Sequence, residues 1–305
     1  MKIKIRRSSL ILPVNIQKFV EKAYLRGADA IVLDLEDSVP PEQKENARQK
    51  IKPSLPLAAR GGADVFVRVN KEPSLLKEDL QASIHPGLDG LVYPKTESPE
   101  EVSNLVAEIE KLERERGLPA GQIELALLVE SPRGLLNLKE IATASSRIQS
   151  ISIGPEDYCL ELGIEPSPEG LELYYAMAKL VVICKANGLM PMGVMGSIGD
   201  FRDLKGFEQA ARRARQIGCE GASCIHPDQV EILNRVFSPD PAKVAYARRV
   251  VEAFEKGLAQ GTASVNVDGK MVDIPVYNRA KFILQRAEAI AELERKKDNA
   301  LALLK

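Results

Sequence analysis

Residues 31–48, IVLDLEDSVPPEQKENAR, pass from an apolar run into three carboxylates, Asp34, Glu36 and Asp37. Like charges this close raise one another's pKa unless a countercharge sits among them. Other apolar runs also end in polar residues. Arg68 and Asn70 close DVFVRVN, Lys95 closes GLVYPKT, Glu130 and Ser131 close ELALLVES, Glu156 and Asp157 close SISIGPED, and His226 lies in GASCIHP. Brought together, they form an acidic rim holding one arginine and one lysine. A divalent hard cation is the natural countercharge. Oxygen ligands without clustered His or Cys favour Mg²⁺, with Mn²⁺ as the alternative, and Mg²⁺ commonly takes one or two protein carboxylates and leaves the rest of its shell to water and substrate. Only two histidines exist, His85 and His226, which excludes a histidine-rich metal centre. Cys219, Cys224 and His226 lack a nearby fourth ligand for zinc, so buried apolar thiols are expected there. Lys95 has two readings, a Schiff-base nucleophile or an ion-pair partner of the rim, and the surrounding acid favours the second.

Positioning such a rim requires strands whose ends converge. Eight short aliphatic runs alternate with longer amphipathic stretches: 9–14, 30–37, 64–70, 90–96, 124–131, 150–157, 189–194 and 221–227. This is the pattern of parallel βα units. Eight of them predict an α/β fold, a (β/α)8 TIM barrel over residues 1–235, with the catalytic groups at the C-terminal ends of the strands. The rival, an open doubly wound sheet, lacks its G-x-G-x-x-G fingerprint; GVMGSIG at 193–199 is spaced differently and reads as turn chemistry. Strand alternation puts Asp34 and Glu36 on one face. Asp37 begins the following loop, where Asp37 or Ser38 is expected to cap a helix with Pro40 or Pro41 near its first turn. Residues 236–305 read as a C-terminal extension: a helix, a hairpin at Asp268-Gly269 and a long charged helix from about Val276. Such an appendage packs on the barrel or on a neighbouring subunit, with the neighbour the favoured partner.

Composition narrows the partners. With 42 basic and 43 acidic residues in 305, there is no long-range field to attract nucleic acid or an anionic membrane. The basic start MKIKIRRSSLILPV is interrupted by Pro13, too soon for a secretory segment, and no apolar run approaches the roughly 18 residues of a spanning helix. Four scattered cysteines form no disulfide framework, which places the chain in a reducing cytoplasm.

Seven ordered segments carry a family signature: RRSSLILPVN, GADAIVLDLEDSVPPEQKENAR, VFVRVN, GLVYPKTES, LLVESPRGL, SISIGPEDYCLELG and IHPDQVEILNRVFSP. They resemble the citrate lyase beta subunit-like proteins, including malyl-CoA and citramalyl-CoA lyases, within the HpcH/HpaI aldolase superfamily. The resemblance spans essentially the whole chain and is specific for fold and reaction class. It implies a Mg²⁺-dependent carbon–carbon lyase that interconverts a malyl-, citramalyl- or citryl-type thioester with an acyl thioester and a 2-keto acid. It implies metal ligation by Glu130 and Asp157. Arg68 would contact the keto acid, either at the developing alkoxide or by holding a carboxylate in a planar fork. Glu36 and Asp37 would lie near metal-bound water. Asp273, in the sequence VDIP, would be an acid–base group contributed across a subunit boundary, so that the enzyme is a homo-oligomer, a trimer or a multiple of three. Ser131, Pro132 and Lys95 are further substrate-binding candidates.

The chain departs from the family pattern at two places. Pro13-Val14 stands where relatives commonly have Pro-Gly, which predicts a side chain against an approaching anion, and Gly193 stands where an aspartate is frequent. Three other readings accompany the leading one. These are a citryl lyase subunit whose substrate rides on an acyl carrier protein, a malyl-type thioesterase or free-acid aldolase, and a non-catalytic paralogue that binds a keto acid. Retention of every rim residue weighs against the last.

Overall fold

The computed structural model describes residues 3–304. Strands and helices alternate as β1 (Ser8–Pro13), α1 (Gln17–Ala23), β2 (Ala30–Asp34), α2 (Lys44–Ala59), β3 (Asp64–Arg68), α3 (Pro73–Ser83), β4 (Gly90–Tyr93) and α4 (Pro99–Glu115). There follow β5 (Glu124–Val129), two short helices α5 (Pro132–Leu136) and α6 (Leu138–Ala142), β6 (Ile148–Ile153), α7 (Pro155–Leu162), α8 (Tyr174–Ala186) and β7 (Met190–Met192). The barrel ends with α9 (Leu204–Ile217), β8 (Ala222–Cys224) and α10 (Pro227–Val236). All eight strands are parallel, in the order β7-β6-β5-β4-β3-β2-β1-β8. The two ends meet through a parallel bridge between Met192 and Gly221, where Gly193 N–H donates to Gly221 O at 2.9 Å. The expected (β/α)8 barrel is therefore the fold.

The two-residue period of the strands sorts the core into two layers. Ile11, Val32, Phe66, Val92 and Ala126 pack inside the barrel. Leu10, Ile31, Val65, Leu91 and Leu125 lie in the larger cluster between the strands and the surrounding helices. Phe66 fills the barrel because β4 offers a glycine opposite it: a Cβ on Gly90 would stand 2.4 Å from the Phe66 ring. Continuing the inward set by one step each brings Asp34 above Val32 and Arg68 above Phe66, and their Cα positions are partners in the β2–β3 register.

Some expected boundaries move. Strands seven and eight are shorter than their apolar runs, three residues each. β7 stops at Gly193, whose φ of 148° only glycine adopts easily. β8 stops because the Ile225 and His226 amides both donate to Gln229 Oε1 at 3.1 Å, closing a capping box at α10. Neither Asp37 nor Ser38 caps α2. The Ser38 amide is drawn back to Asp34 Oδ2 at 3.1 Å, and α2 starts at Lys44 after a 3-10 turn at Pro41–Gln43.

The extension has its own small core. Helix α11 (Pro241–Ala259), the hairpin β9 (Val265–Val267) and β10 (Lys270–Val272), and α12 (Ile274–Ala302) bury Val250, Phe254, Val267, Val272 and Ala280 together. The hairpin turns at Asp268 and Gly269, φ 52° and 78°, as the sequence predicts. The second half of α12 lies on this chain's own barrel, at the end where the strands begin. There Asp29 accepts two hydrogen bonds from the Arg7 guanidinium at 2.8 Å and pairs with Lys297, which also donates to Gly27 O at 3.0 Å. Burial alone pushes the Asp29 carboxyl up, but the two cations hold it below its ordinary value. Among the described residues no helix is long and apolar enough to cross a membrane.

Candidate active site

At the opposite end of the barrel, where the strands finish, a cavity of about 230 Å³ is lined by Asp37, Arg68, Glu130, Gly154, Glu156 and Asp157 among others. Below the polar groups its walls are apolar, with Ile11, Val32, Val92 and Leu128 forming the barrel interior. Convergent polar groups above an apolar floor are the usual form of a small-molecule site.

Arg68, the last residue of β3, is fixed by Asp34, the last residue of β2. Its Nε and Nη2 donate to the two Asp34 oxygens, both at 2.7 Å. Asp34 is fully buried. Burial would raise its pKa, but Arg68 and Ser38 hold the carboxyl below its ordinary value. The guanidinium stays charged, its pKa raised against the pull of burial by Asp34, Glu36 and Asp37. This geometry corrects one expectation. The Nε/Nη2 fork of Arg68 is occupied by Asp34, so a substrate oxygen has only the Nη1 end of the guanidinium to meet. Nη1 lies 3.1 Å from Glu36 Oε2 and 3.8 Å from Asp37.

Glu36 is 6% exposed, while Asp37 is exposed at the rim. Burial raises the Glu36 pKa, and the Arg68 and Lys95 charges only partly offset that. Its Oε1 meets Lys95 Nζ at 3.1 Å, and its Oε2 has no hydrogen-bond partner. Lys95 adopts a positive φ of 50°, unusual for a side-chain-bearing residue. That turn aims its N–H at Glu130 Oε2, 2.8 Å away, while its Nζ reaches Glu36, so one residue ties the carboxylates of β2 and β5. Burial disfavours the Lys95 charge, but Glu36, Asp37 and Asp157 outweigh it and raise the pKa. A Schiff-base nucleophile must be neutral, so the ion-pair reading holds for Lys95.

Glu130 follows β5 and is 6% exposed. Burial, with Glu36 and Asp157 adding repulsion, pushes its carboxyl up to about 8. It reaches over the end of β6 because residue 154 is glycine: a Cβ there would stand 2.5 Å from Glu130 Oε1. Asp157 sits in the first turn of α7, half-buried on the cavity wall. Among the described residues neither Glu130 nor Asp157 has an ion-pair partner within 4 Å. No group of three or more His, Cys, Asp or Glu residues is arranged to hold a metal unaided. Two carboxylate donors, Glu130 and Asp157, the first forced toward its neutral form by burial, nevertheless fit a hard divalent cation that completes its shell with water and substrate.

Other candidates lie elsewhere. Ser131 caps α5 by accepting from Gly134 N at 3.0 Å and donates to Glu97 Oε1 at 2.7 Å; it and Pro132 are off the cavity wall. Asp273 caps α12 in the extension, accepting from Val276 N at 3.2 Å, and is not on this chain's cavity. The helix starts at Ile274, two residues before Val276, because this cap sets the boundary. His226 caps α10 and stacks on Phe201, and all four cysteines are buried and free. Val14 is fully buried in the core, so its side chain does not stand against a ligand at the mouth as the sequence predicts. An aspartate at Gly193 would have to adopt a φ of 148° and displace the Met177 methyl, whose Cε lies 2.8 Å from where a Cβ would be.

Sequence reading missed three supports. Gly154 makes room for Glu130. Lys44 Nζ donates to Leu35 O, Glu36 O and Asn70 Oδ1 at 2.7–2.8 Å, holding the loop after β2. Asp79 of α3 accepts from the Asn70 amide at 2.8 Å and from Arg48. The Gly154 signal was present in the chain as the glycine of GPED; the other two depend on contacts between elements.

A closed eight-stranded barrel with carboxylates, an arginine and a lysine at its C-terminal mouth is the architecture of a barrel enzyme. The chain belongs to the HpcH/HpaI aldolase/citrate lyase family, whose sequence pattern matches residues 7–227, and is a lyase of that family. It is 36% identical to the citrate lyase subunit beta of Escherichia coli strain K12 over 94% of this chain and 95% of that one. It is 32% identical to the L-malyl-CoA/beta-methylmalyl-CoA lyase of Rhodobacter capsulatus over 93% and 95% of the two chains. Its structure is similar to that of CitE from Mycobacterium tuberculosis in complex with magnesium, acetoacetate and coenzyme A. That match has a TM-score of 0.72 and 25% identity, over 94% of this chain and all of the other.

Proposed function

We propose that this chain is a Mg²⁺-dependent carbon–carbon lyase that reversibly cleaves a malyl-, citramalyl- or citryl-type CoA thioester into an acyl thioester and a 2-keto acid. The observation that carries the reading is Glu130: a buried carboxylate with no ion-pair partner among the described residues, beside Asp157 and sharing the cavity wall with Arg68. Glu130 and Asp157 would hold the metal, with Mn²⁺ as a substitute. Bound there, the ion supplies a Lewis acid for the keto acid's carbonyl. Arg68, locked by Asp34, presents Nη1 to the 3-oxygen, which gains charge as the hydroxyl loses its proton. In the cleavage direction the 3-hydroxyl passes its proton to a rim carboxylate, Glu36 or Asp37, and becomes the carbonyl. The bonding pair passes to the carbon α to the thioester carbonyl, and the resulting enolate takes a proton from Asp273 of a neighbouring subunit. Glu36 and Asp37 are also the reserve proton donors, and Lys95 holds Glu36 in place. Ser131 and Pro132 act by setting the start of α5 behind Glu130, a positioning role that replaces direct substrate contact.

The enzyme is proposed to be a cytoplasmic homotrimer or a multiple of three, divided into a catalytic barrel (1–235) and an extension (236–305) that completes a neighbour's site. The similarity to a citrate lyase beta subunit supports a second reading, in which the citryl group rides on an acyl carrier protein. Incubating protein and Mg²⁺ with malyl-, citramalyl- and citryl-CoA, and with a citryl-loaded carrier, tests both. Keto-acid release from a CoA ester supports the first, and release from the carrier alone selects the second. Free malate without bond cleavage would mark a thioesterase, and a folded, metal-loaded sample inert toward all four would overturn the proposal.

A further inference from the structure

We propose that the crevice between the lower end of the barrel and α12 is a binding site for a phosphate-type oxyanion, remote from the catalytic cavity. The crevice has a volume of about 360 Å³ and is lined by Lys185, Arg215, Glu220, Lys243, Arg279 and Arg286. Five cations face a single carboxylate. Glu220 is already shared, paired with Lys185 on one side and 3.8 Å from Arg286 Nη1 on the other. Arg286 has a side chain only 9% exposed. Its Nη2 donates to Glu220 O at 2.8 Å and to Phe237 O at 3.1 Å, but Nη1 is buried with no hydrogen-bond partner. Arg215 donates to Val236 O, and of two further acids that act on the cluster, Asp240 caps α11 through Ala242 N at 2.7 Å and Asp29 is already paired with Arg7 and Lys297. Lys243 and Arg279 stand exposed at the edge, with no ion pair among the described residues.

Arginine cannot discharge such a cluster by losing its proton, so the excess charge calls for an anion. Burial lowers the pKa of both Arg286 and Arg215, the direction expected of cations lacking a countercharge. A tetrahedral oxyanion has oxygens enough to meet Nη1 of Arg286 and the forks of Arg215 and Arg279 together. The space beyond it accommodates the small organic part of a phosphomonoester. Glu220 leads into β8 and Arg286 belongs to α12, so a bound anion would tie the extension to the barrel.

The test is calorimetric titration of the full chain with inorganic phosphate at constant ionic strength, repeated with glycerol phosphate. Three proteins are compared: the native one, a Lys243→Ala/Arg279→Ala double variant whose changes lie on the surface, and Glu130→Gln as a control for binding at the catalytic cavity. One saturable site per chain is expected, weakened at least tenfold in the double variant and unchanged in Glu130→Gln. Tighter binding of glycerol phosphate would identify a phosphomonoester as the ligand, and equal or weaker binding the free ion. Absence of saturable binding, or binding lost in Glu130→Gln but kept in the double variant, would overturn the proposal.

Discussion

Replacing Gly154 with alanine is expected to disable catalysis while leaving the barrel intact. Gly154 has φ −88° and ψ 106°, a conformation that alanine adopts without strain. The added Cβ would stand 2.5 Å from Glu130 Oε1, 2.6 Å from its Cγ and 2.9 Å from its Cδ. Ordinary contact begins at 3.4 Å, so the carboxylate must retreat by about 0.9 Å. Glu130 is buried and its Oε2 is held by the Lys95 amide, so it cannot retreat and keep that bond. A displacement of about 1 Å in a reacting constellation can cost roughly 100-fold in rate, and disturbing the support of a metal ligand costs about 10- to 100-fold in affinity. Gly154→Ala should therefore lower kcat/KM by about two orders of magnitude and weaken Mg²⁺ binding at least tenfold. Thermal stability of the metal-free protein should fall by about 1–3 kcal/mol, because the Cβ overpacks a buried side chain, with the barrel still folded. Coupled keto-acid assays, Mg²⁺ titration and differential scanning calorimetry read these three quantities. Native turnover and Mg²⁺ affinity in the variant would refute the placement of Glu130 over β6 as the reason for the glycine.

Removing Asp34 by Asp34→Asn should destabilise the protein by about 3–5 kcal/mol, because Arg68 is left buried without its partner. The Asp34 pKa is lowered from 3.8 on folding, so this contribution is present above pH 3.8 and is lost as pH falls through the folded value. Denaturant melts should accordingly show the gap between native and variant closing only in strong acid. Glu130 shifts the other way, from 4.5 to about 8, so the metal-free fold binds its proton more tightly than the unfolded chain and loses stability as pH rises across that window. Mg²⁺ replaces the proton, and the Tm gain on adding Mg²⁺ should grow from about pH 6 to 8; a gain independent of pH would contradict the assignment. Mixing subunits bearing Asp273→Asn with subunits bearing Glu130→Gln should restore part of the activity that each lacks alone, whereas no recovery after verified subunit exchange would place both groups in one chain's site. On the lower face, Asp29→Asn should cost about 3 kcal/mol by leaving Arg7 and Lys297 with the half-exposed Glu294 as their remaining shared carboxylate, measurable by urea unfolding.

The barrel was legible in the chain because its physics is local. Runs such as AIVLD and DVFVR have the composition of strands covered on both faces, and the period of two carries Arg68 to the inner surface wherever the strand lies. The rim residues were legible for the same reason, and so was the hairpin at Asp268-Gly269, whose positive φ angles ask for those residue types. Strand ends were less so. β8 closes early because Gln229 takes the amides of Ile225 and His226, a competition that a propensity pattern does not record. The partners of each charge were beyond reach: Arg68 could have offered its fork to substrate, but Asp34 stands opposite it in register and fills it. The same holds for Asp29, Arg7 and Lys297, which are joined from the two ends of the sequence. The chain by itself determined which residues face inward, at which strand ends, and the chemistry they are suited to. Only the tertiary structure decided which cation neutralises which carboxylate, because ion pairs form across neighbours in space, and so left Glu130, among the described residues, a buried acid with no ion-pair partner.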